Sequence, residues 1–286
     1  MRHSERVSSR RLVVDGLGVH TWLAGHGEPV VLVHGFGVSG RYMLPLAEAL
    51  AGRFSVFTPE LPGSGRSERP RVPLGIGGLA DALGGCLDAL ELERPTLVAN
   101  SLGCQVVTEL AVRRPMRVGP LVLIGPTVDP EQRRARRQLL RGLSDAAREP
   151  LPLLAMTARD TAGMGITALL ATVRSALADR IEDRLPLVTV PTLVVRGEKD
   201  QFVSARWAER VATLLPAARL VDVPGEPHAV HFTRPELVRD LVEGLLLEER
   251  EEGLGELGRR LPHRDVPTRE KHEPRAGQRA LPLLGD

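Results

Sequence analysis

Short apolar-rich runs recur along the chain, most of them followed by a segment of helical period. They are PVVLVH (Pro29–His34), RFSVFTP (Arg53–Pro59), PTLVA (Pro95–Ala99), GPLVLIG (Gly119–Gly125), PTLVVRG (Pro191–Gly197) and ARLVDV (Ala218–Val223). A strand with one wet face alternates polar and apolar residues. Continuous apolar runs of this length belong to strands covered on both faces. Arg41–Gly52, Ile76–Leu90, Ser101–Arg114, Ser204–Leu215 and Pro235–Leu247 carry the helical period between and after them. The alternation predicts an α/β fold, a mostly parallel sheet with helices on both faces. Ser8–Val14 and Val19–Leu23 flank the turn DGLG and predict an antiparallel hairpin at one edge.

From Thr127 to Leu187 the alternation stops. Asp129-Pro130-Glu131 has the form of a helix start, with Asp as N-cap and Pro at the first helical position. A basic stretch, EQRRARRQLLRGL, follows, and Leu153–Leu185 has helical period and no strand. The expected organisation is a core in two parts, 8–126 and 188–247, with a small helical lid, 127–187, inserted late in the chain. Arg133, Arg134, Arg136, Arg137 and Arg141 suit a solvated lid face or an anionic substrate. Leu139, Leu140 and Leu143 would dock the lid. Residues 248–286 are charged and rich in Pro and Gly, and disorder is expected there.

Composition narrows the function classes. A chain of 286 residues, 42% hydrophobic, supports a sizeable core. A formal net charge of +2 makes no case for nucleic acid. Cys86 and Cys104 are the only cysteines, too few for a disulfide framework or a zinc site. The N-terminal MRHSERVSSRRLVVDG has no apolar run behind its charges, and no window approaches a membrane span. The expectation is a soluble cytoplasmic protein acting on a small molecule, without metal or organic cofactor.

Ligands of open α/β sheets bind beyond the carboxyl ends of the strands. Three reactive side chains stand there: Ser101 after PTLVA, Asp200 after PTLVVRGEK, and His228 after ARLVDVPGEP. Ser101 suits either a helix N-cap or a nucleophile on a sharp turn. A serine hydroxyl attacks at neutral pH only if an imidazole takes its proton and a carboxylate holds that imidazole. Asp129 is a rival acid and His231 a rival base. His34 suits the organisation of its own loop, and Cys104 suits a small buried hydrophobe.

Several stretches together resemble the α/β-hydrolase superfamily, in its Ser…Asp…His order. HGFG (His34–Gly37) is similar to its oxyanion loop, LPGSGRSERP (Leu61–Pro70) to its Pro-Gly loop, and ANSLG (Ala99–Gly103) to its nucleophile elbow. GEKDQFV (Gly197–Val203) and PHAVHFTRP (Pro227–Pro235) are similar to its acid and histidine loops. Ala99 and Pro227 replace the family's usual Gly, and Glu60 a frequent Asp. The resemblance implies Ser101 as nucleophile, His228 as base and Asp200 as its partner. It also implies the N–H groups of Phe36 and Leu102 as oxyanion donors. Dehalogenase- and epoxide-hydrolase-type members carry Asp at the elbow, so serine points to ester hydrolysis through an acyl-enzyme. C–C bond hydrolysis of ring-fission diketones, perhydrolase or acyltransferase chemistry, and ligand sensing on the same fold remain alternatives.

Overall fold

The strands pair as an eight-stranded sheet in the order β1-β2-β4-β3-β5-β6-β7-β8. They are β1 (Ser8–Val14), β2 (Leu17–Ala24), β3 (Glu28–Val33), β4 (Phe54–Pro59), β5 (Thr96–Asn100), β6 (Leu121–Ile124), β7 (Thr192–Gly197) and β8 (Ala218–Val223). The computed structural model describes residues 7–134, 144 and 149–260, with side chains as far as 251. β1 and β2 form the antiparallel edge, β2 is also antiparallel to β4, and every pairing from β4 to β8 is parallel.

Period-two alternation sorts the apolar runs onto two covered faces. Val31, Val33, Leu97, Ala99, Leu121, Leu123 and Val194 join one core. There they meet α2 (Ile76–Ala89), α3 (Leu102–Arg113) and α7 (Ala205–Leu214). Val30, Leu32, Val98, Val122, Ile124, Leu193 and Val195 face the opposite core. That core holds α1 (Leu44–Leu50), α8 (Val230–Thr233) and the first turns of α9 (Pro235–Arg260). The glycines of α2 weaken its intrinsic propensity, but they let it pack closely. A Cβ on Gly84 would lie 3.2 Å from Leu110 Cδ1, and one on Gly85 2.3 Å from Val14 Cγ1.

The connection from β6 to β7 begins with a 3₁₀ turn, Pro130–Gln132, which Asp129 caps; most of the helix expected to follow lies outside the described residues. It ends with α4 (Leu151–Met164), α5 (Ile166–Ala178) and α6 (Ile181–Arg184). Arg136, Arg137, Leu139, Leu140, Arg141 and Leu143 lie outside the described residues. Arg133 pairs with Glu182. Ile181 and Leu185 are fully buried in the first core, so this connection is anchored at its end. Among the described residues no single helix is long and apolar enough to cross a membrane.

One expectation is corrected at the C-terminus. α9 does not stop at Leu247, where the apolar period ends, but continues to Arg260. Glu and Arg make up most of the added turns and favour helix, against the pull of Gly253, Gly255 and Gly258. The compact unit that contains the sheet reaches Glu249. Residues 261–286 lie outside the described residues.

The chain leaves β3 for β4 on one side of the sheet and later places β5 on the other. Such a reversal opens a crevice at the strand ends. The loops after β3 and β5, His34–Gly37 and Asn100–Ser101, border it.

Candidate active site

Ser101 joins β5 to α3 with φ +56° and ψ −121°, a region that non-glycine residues avoid. Holding it there costs on the order of 1–3 kcal/mol. Two backbone hydrogen bonds secure it: its N–H donates to the Ile124 carbonyl at 2.9 Å, and its carbonyl accepts the Cys104 N–H at 3.0 Å. The turn is tight because Gly103 lets α3 approach β3; a Cβ there would lie 2.6 Å from the Val33 carbonyl oxygen. Ala99, where the family has Gly, is accommodated as a fully buried residue of the first core.

The hydroxyl of Ser101 makes no capping hydrogen bond. Two other side chains do cap among the described residues. Ser204 accepts the Trp207 N–H at 3.2 Å and starts α7, and Asp129 Oδ1 accepts the Glu131 N–H at 3.0 Å. Asp129 Oδ2 also receives the Ser204 hydroxyl at 3.2 Å. Asp129 is thus committed to the start of two helical segments and makes no contact with His228.

Asp200 follows β7 and is buried. Its Oδ2 lies 2.7 Å from His228 Nδ1, while Oδ1 accepts the N–H groups of Phe202 at 2.7 Å and Val203 at 3.0 Å. A carboxylate on Nδ1 fixes the proton there and leaves Nε2 as the basic nitrogen. The pair rests on Gly125, which has φ +56°. A Cβ at Gly125 would stand 2.7 Å from His228 Cε1 and 3.1 Å from Asp200 Oδ2. Phe202 packs against the imidazole at 4.8 Å between centroids.

Ser101, His228, Phe36, Asn100 and Phe202 border one cavity of about 260 Å³, and Leu153, Leu154, Thr157 and Thr161 of α4 close it. A second cavity of about 280 Å³ shares Gly35, Phe36 and Gly37 with the first, and Leu102, Met164 and Ile166 border it. The Leu102 N–H is the first of α3 and has no partner within the helix. His34 is fully buried. Its Nδ1 lies 2.8 Å from the Gly35 carbonyl oxygen, and its Nε2 accepts the Leu61 N–H at 3.0 Å. Nδ1 therefore carries the proton, and burial holds the ring's pKa down, in the neutral form. The peptide is planar and trans, so pinning the Gly35 carbonyl turns the Phe36 N–H the opposite way.

His231 lies away from this cavity. It is buried edge-on against Tyr42 at 4.4 Å, and neither ring nitrogen has a hydrogen-bond partner among the described residues. Burial, aided by His228, pulls its pKa down to about 3. Cys104 donates to the carbonyls of Ala99 and Ile124, and burial pushes its thiol pKa up, which makes it a poor nucleophile. Among the described residues no group of His, Cys, Asp or Glu is placed to hold a metal ion.

Other site residues carry little sequence signal. Arg196 is nearly buried at the end of β7. Its Nε donates to the Val203 carbonyl at 2.9 Å, its Nη2 to Glu198 at 3.0 Å, and its Nη1 pairs with Asp222 at 2.7 Å. It thereby builds the loop that carries Asp200, and a lone cation in the run PTLVVRG is the signal that could have found it. Asn100 Nδ2 donates to the carbonyls of Ile124 at 3.2 Å and His228 at 3.4 Å. Glu60, the replacement in the Pro-Gly loop, accepts the Trp22 indole N–H at 2.9 Å and the Arg66 N–H at 2.5 Å.

The geometry is matched by kinship. The model of the alpha/beta hydrolase family covers residues 30–241. The "Putative carbamate hydrolase RutD" of Rhizobium rhizogenes is 31% identical over 233 residues, 73% of this chain and 88% of that protein. The uncharacterized protein Rv2715 of Mycobacterium tuberculosis is 28% identical over 261 residues, 77% of this chain and 76% of its own. Among solved structures, Est816, an N-acyl homoserine lactone degrading enzyme, superposes with a TM-score of 0.71 at 26% identity, over 82% of this chain and 99% of that one. E-2-(acetamidomethylene)succinate hydrolase gives a TM-score of 0.73 at 23% identity, over 84% and 99%, and speaks for the fold. The matched span runs from β3 into α9 and takes in each strand-end loop of the site, and the chain belongs to the alpha/beta hydrolase family.

Proposed function

We propose that the protein is a serine hydrolase that cleaves a small carboxylic ester through an acyl-enzyme. The observation that carries this reading is the 2.7 Å contact of His228 Nδ1 with buried Asp200, beside a strained Ser101 on the same cavity. Ser101 Oγ attacks the carbonyl carbon while His228 Nε2 takes its proton. Asp200 holds the Nδ1–H and stabilises the imidazolium. The N–H groups of Phe36 and Leu102 receive the developing oxyanion. Each such donor is worth roughly 3–4 kcal/mol in the transition state. The imidazolium then protonates the departing alkoxide and leaves an acyl ester on Ser101. Water attacks that ester, gives its proton to His228, and the acid departs as Ser101 recovers its hydrogen.

The cavity of about 260 Å³ is at the small end for ligand sites, which favours short acyl or lactone substrates over long chains. The likeness to a lactone-degrading enzyme and to a carbamate hydrolase name is consistent with carbonyl hydrolysis. C–C bond cleavage and acyl transfer would use the same acyl-enzyme, and a panel of esters, diketones and acceptor alcohols separates them.

A fluorophosphonate probe should label wild-type protein at Ser101, and p-nitrophenyl acetate should turn over. Ser101→Ala should abolish both and leave folding intact, with a loss on the order of 10⁴–10⁶ in rate. A variant that keeps a tenth of wild-type turnover would refute the mechanism. A ligand-sensing protein would show no turnover in the wild type.

A further inference from the structure

Two polar side chains of the inserted segment reach the loops that carry the reacting groups. Thr161, in α4, donates its hydroxyl to the Gly37 carbonyl at 2.9 Å. Glu149, just before α4, accepts the Ala229 N–H on Oε1 at 3.0 Å. Both border the cavity that holds Ser101 and His228.

Each contact falls on a backbone unit that sets the site. The Ala229 N–H belongs to the His228–Ala229 peptide, whose carbonyl lies 3.4 Å from Asn100 Nδ2. A planar peptide held at both its C=O and its N–H cannot turn about its flanking bonds. The ψ angle of His228 is thereby fixed, and with it the direction in which the imidazole leaves the backbone. Asn100 is the neighbour of Ser101, so this one peptide ties the histidine to the nucleophile on one side and to the inserted segment on the other.

The oxyanion loop is held in the same manner. His34 grips the Gly35 carbonyl from within the core, and Thr161 grips the Gly37 carbonyl from α4. Gly37 has φ +73°, and a Cβ there would lie 2.8 Å from Thr161 Oγ1. Both the backbone conformation and the approach of Thr161 call for glycine. The Phe36 N–H stands between the two held carbonyls.

We propose that Glu149 and Thr161 are positioning residues for the reaction assigned above, a two-point clamp by which the inserted segment sets His228 and the Phe36 N–H. The proposal rests on the serine-hydrolase reading. Neither side chain needs to touch the reacting atoms; Glu149 holds the peptide that follows His228, and Thr161 holds the carbonyl of the residue after Phe36.

The test separates positioning from substrate contact. Thr161→Val removes the hydroxyl at nearly constant size, and Thr161→Ser restores it. Glu149→Leu removes the acceptor, and Glu149→Gln keeps an amide oxygen. kcat and KM are measured separately on p-nitrophenyl acetate and p-nitrophenyl butyrate, with melting curves and the rate of fluorophosphonate labelling at Ser101. Misplacement of a reacting group by about 1 Å costs up to roughly 100-fold. Thr161→Val and Glu149→Leu should therefore lose about 10- to 100-fold in kcat, by the same factor on both esters, with KM little changed. Thr161→Ser and Glu149→Gln should recover most of that loss. Retained kcat in Thr161→Val and Glu149→Leu overturns the clamp. So does a loss confined to KM or one that differs between the two esters, which marks the pair as substrate contacts. If Glu149→Leu does not fold, the Thr161 variants and Glu149→Gln decide. Failure of the wild type to label overturns the serine-hydrolase reading and the clamp with it, whereas a labelled wild type with unaffected variants overturns the clamp alone.

Discussion

Replacing Asp200 by Asn changes one atom, and the surrounding hydrogen bonds dictate where that atom goes. Oδ1 of Asp200 receives the N–H groups of Phe202 and Val203, so in Asp200→Asn the amide oxygen is held on that side. The new NH₂ group then faces His228 Nδ1, 2.7 Å away in the wild type. Two donors cannot share that gap. The imidazole must move its proton to Nε2, and in the proposed mechanism Ser101 is then left with no lone pair to take its proton. Loss of the base in this way lowers kcat by on the order of 10³–10⁴, or about 4–5.5 kcal/mol of barrier. The fold keeps its backbone acceptor, so the melting temperature should move little. Asp129→Asn is the control. Its carboxylate caps Glu131 and receives the Ser204 hydroxyl, and asparagine caps about as well as aspartate, at a cost under about 1 kcal/mol. Both variants are assayed for kcat on p-nitrophenyl acetate and for melting temperature. Severe loss in Asp129→Asn with a near-normal rate in Asp200→Asn would reverse the roles of the two carboxylates.

Gly125→Ala should lower both activity and stability, because alanine disfavours φ +56° and the added Cβ lands 2.7–3.1 Å from the His228 ring and Asp200 Oδ2. A normal kcat in that variant would show that the pair does not need its seat. His231 supplies a pH signature. Its folded pKa, about 3, lies below the unfolded value of 6.5, so the unfolded chain binds the proton first. Its contribution is complete above about pH 6.5 and drains as pH falls toward 3, by up to about 1.4 kcal/mol per unit. His34 drains stability in the same direction, so His231→Leu should flatten the acid side of the melting profile without levelling it. An unchanged slope between pH 6.5 and 4 would refute the assignment.

The sheet was legible because its central strands are buried on both faces, and such burial writes a continuous apolar run into the sequence. The strand ends were legible for the same reason, which placed Ser101, Asp200 and His228 near one another before any contact was known. The end of α9 was not legible, since its last turns carry no apolar period for burial to impose. Nor was the polar scaffold of the site. Asn100 meets His228 across 128 positions, Thr161 meets Gly37 across 124, and Glu149 meets Ala229 across 80. No local pattern encodes a partner at such separations. Arg196 is an intermediate case: a cation inside a buried run must find partners, but the sequence does not name them.

The strand that contributes none of the three side chains of the proposed triad sets the distance between them. β6 lies between β5, which delivers Ser101, and β7, which delivers Asp200. Neighbouring strands are about 4.8 Å apart, so the strands of Ser101 and Asp200 stand roughly 10 Å apart. No direct hydrogen bond spans that gap, and an imidazole placed over β6 does. The end of β6 is shaped for this purpose. The Ile124 carbonyl accepts the Ser101 N–H at 2.9 Å, the Asn100 amide at 3.2 Å and the Cys104 thiol at 3.5 Å, which ties down the Ser101 side. The next residue, Gly125, turns away at positive φ and leaves the space in which the His228–Asp200 pair sits. Its own N–H donates to the Val195 carbonyl at 2.8 Å and locks that turn to β7. Strain at Ser101 is therefore borne by a joint that also seats His228, so relaxing one would displace the other.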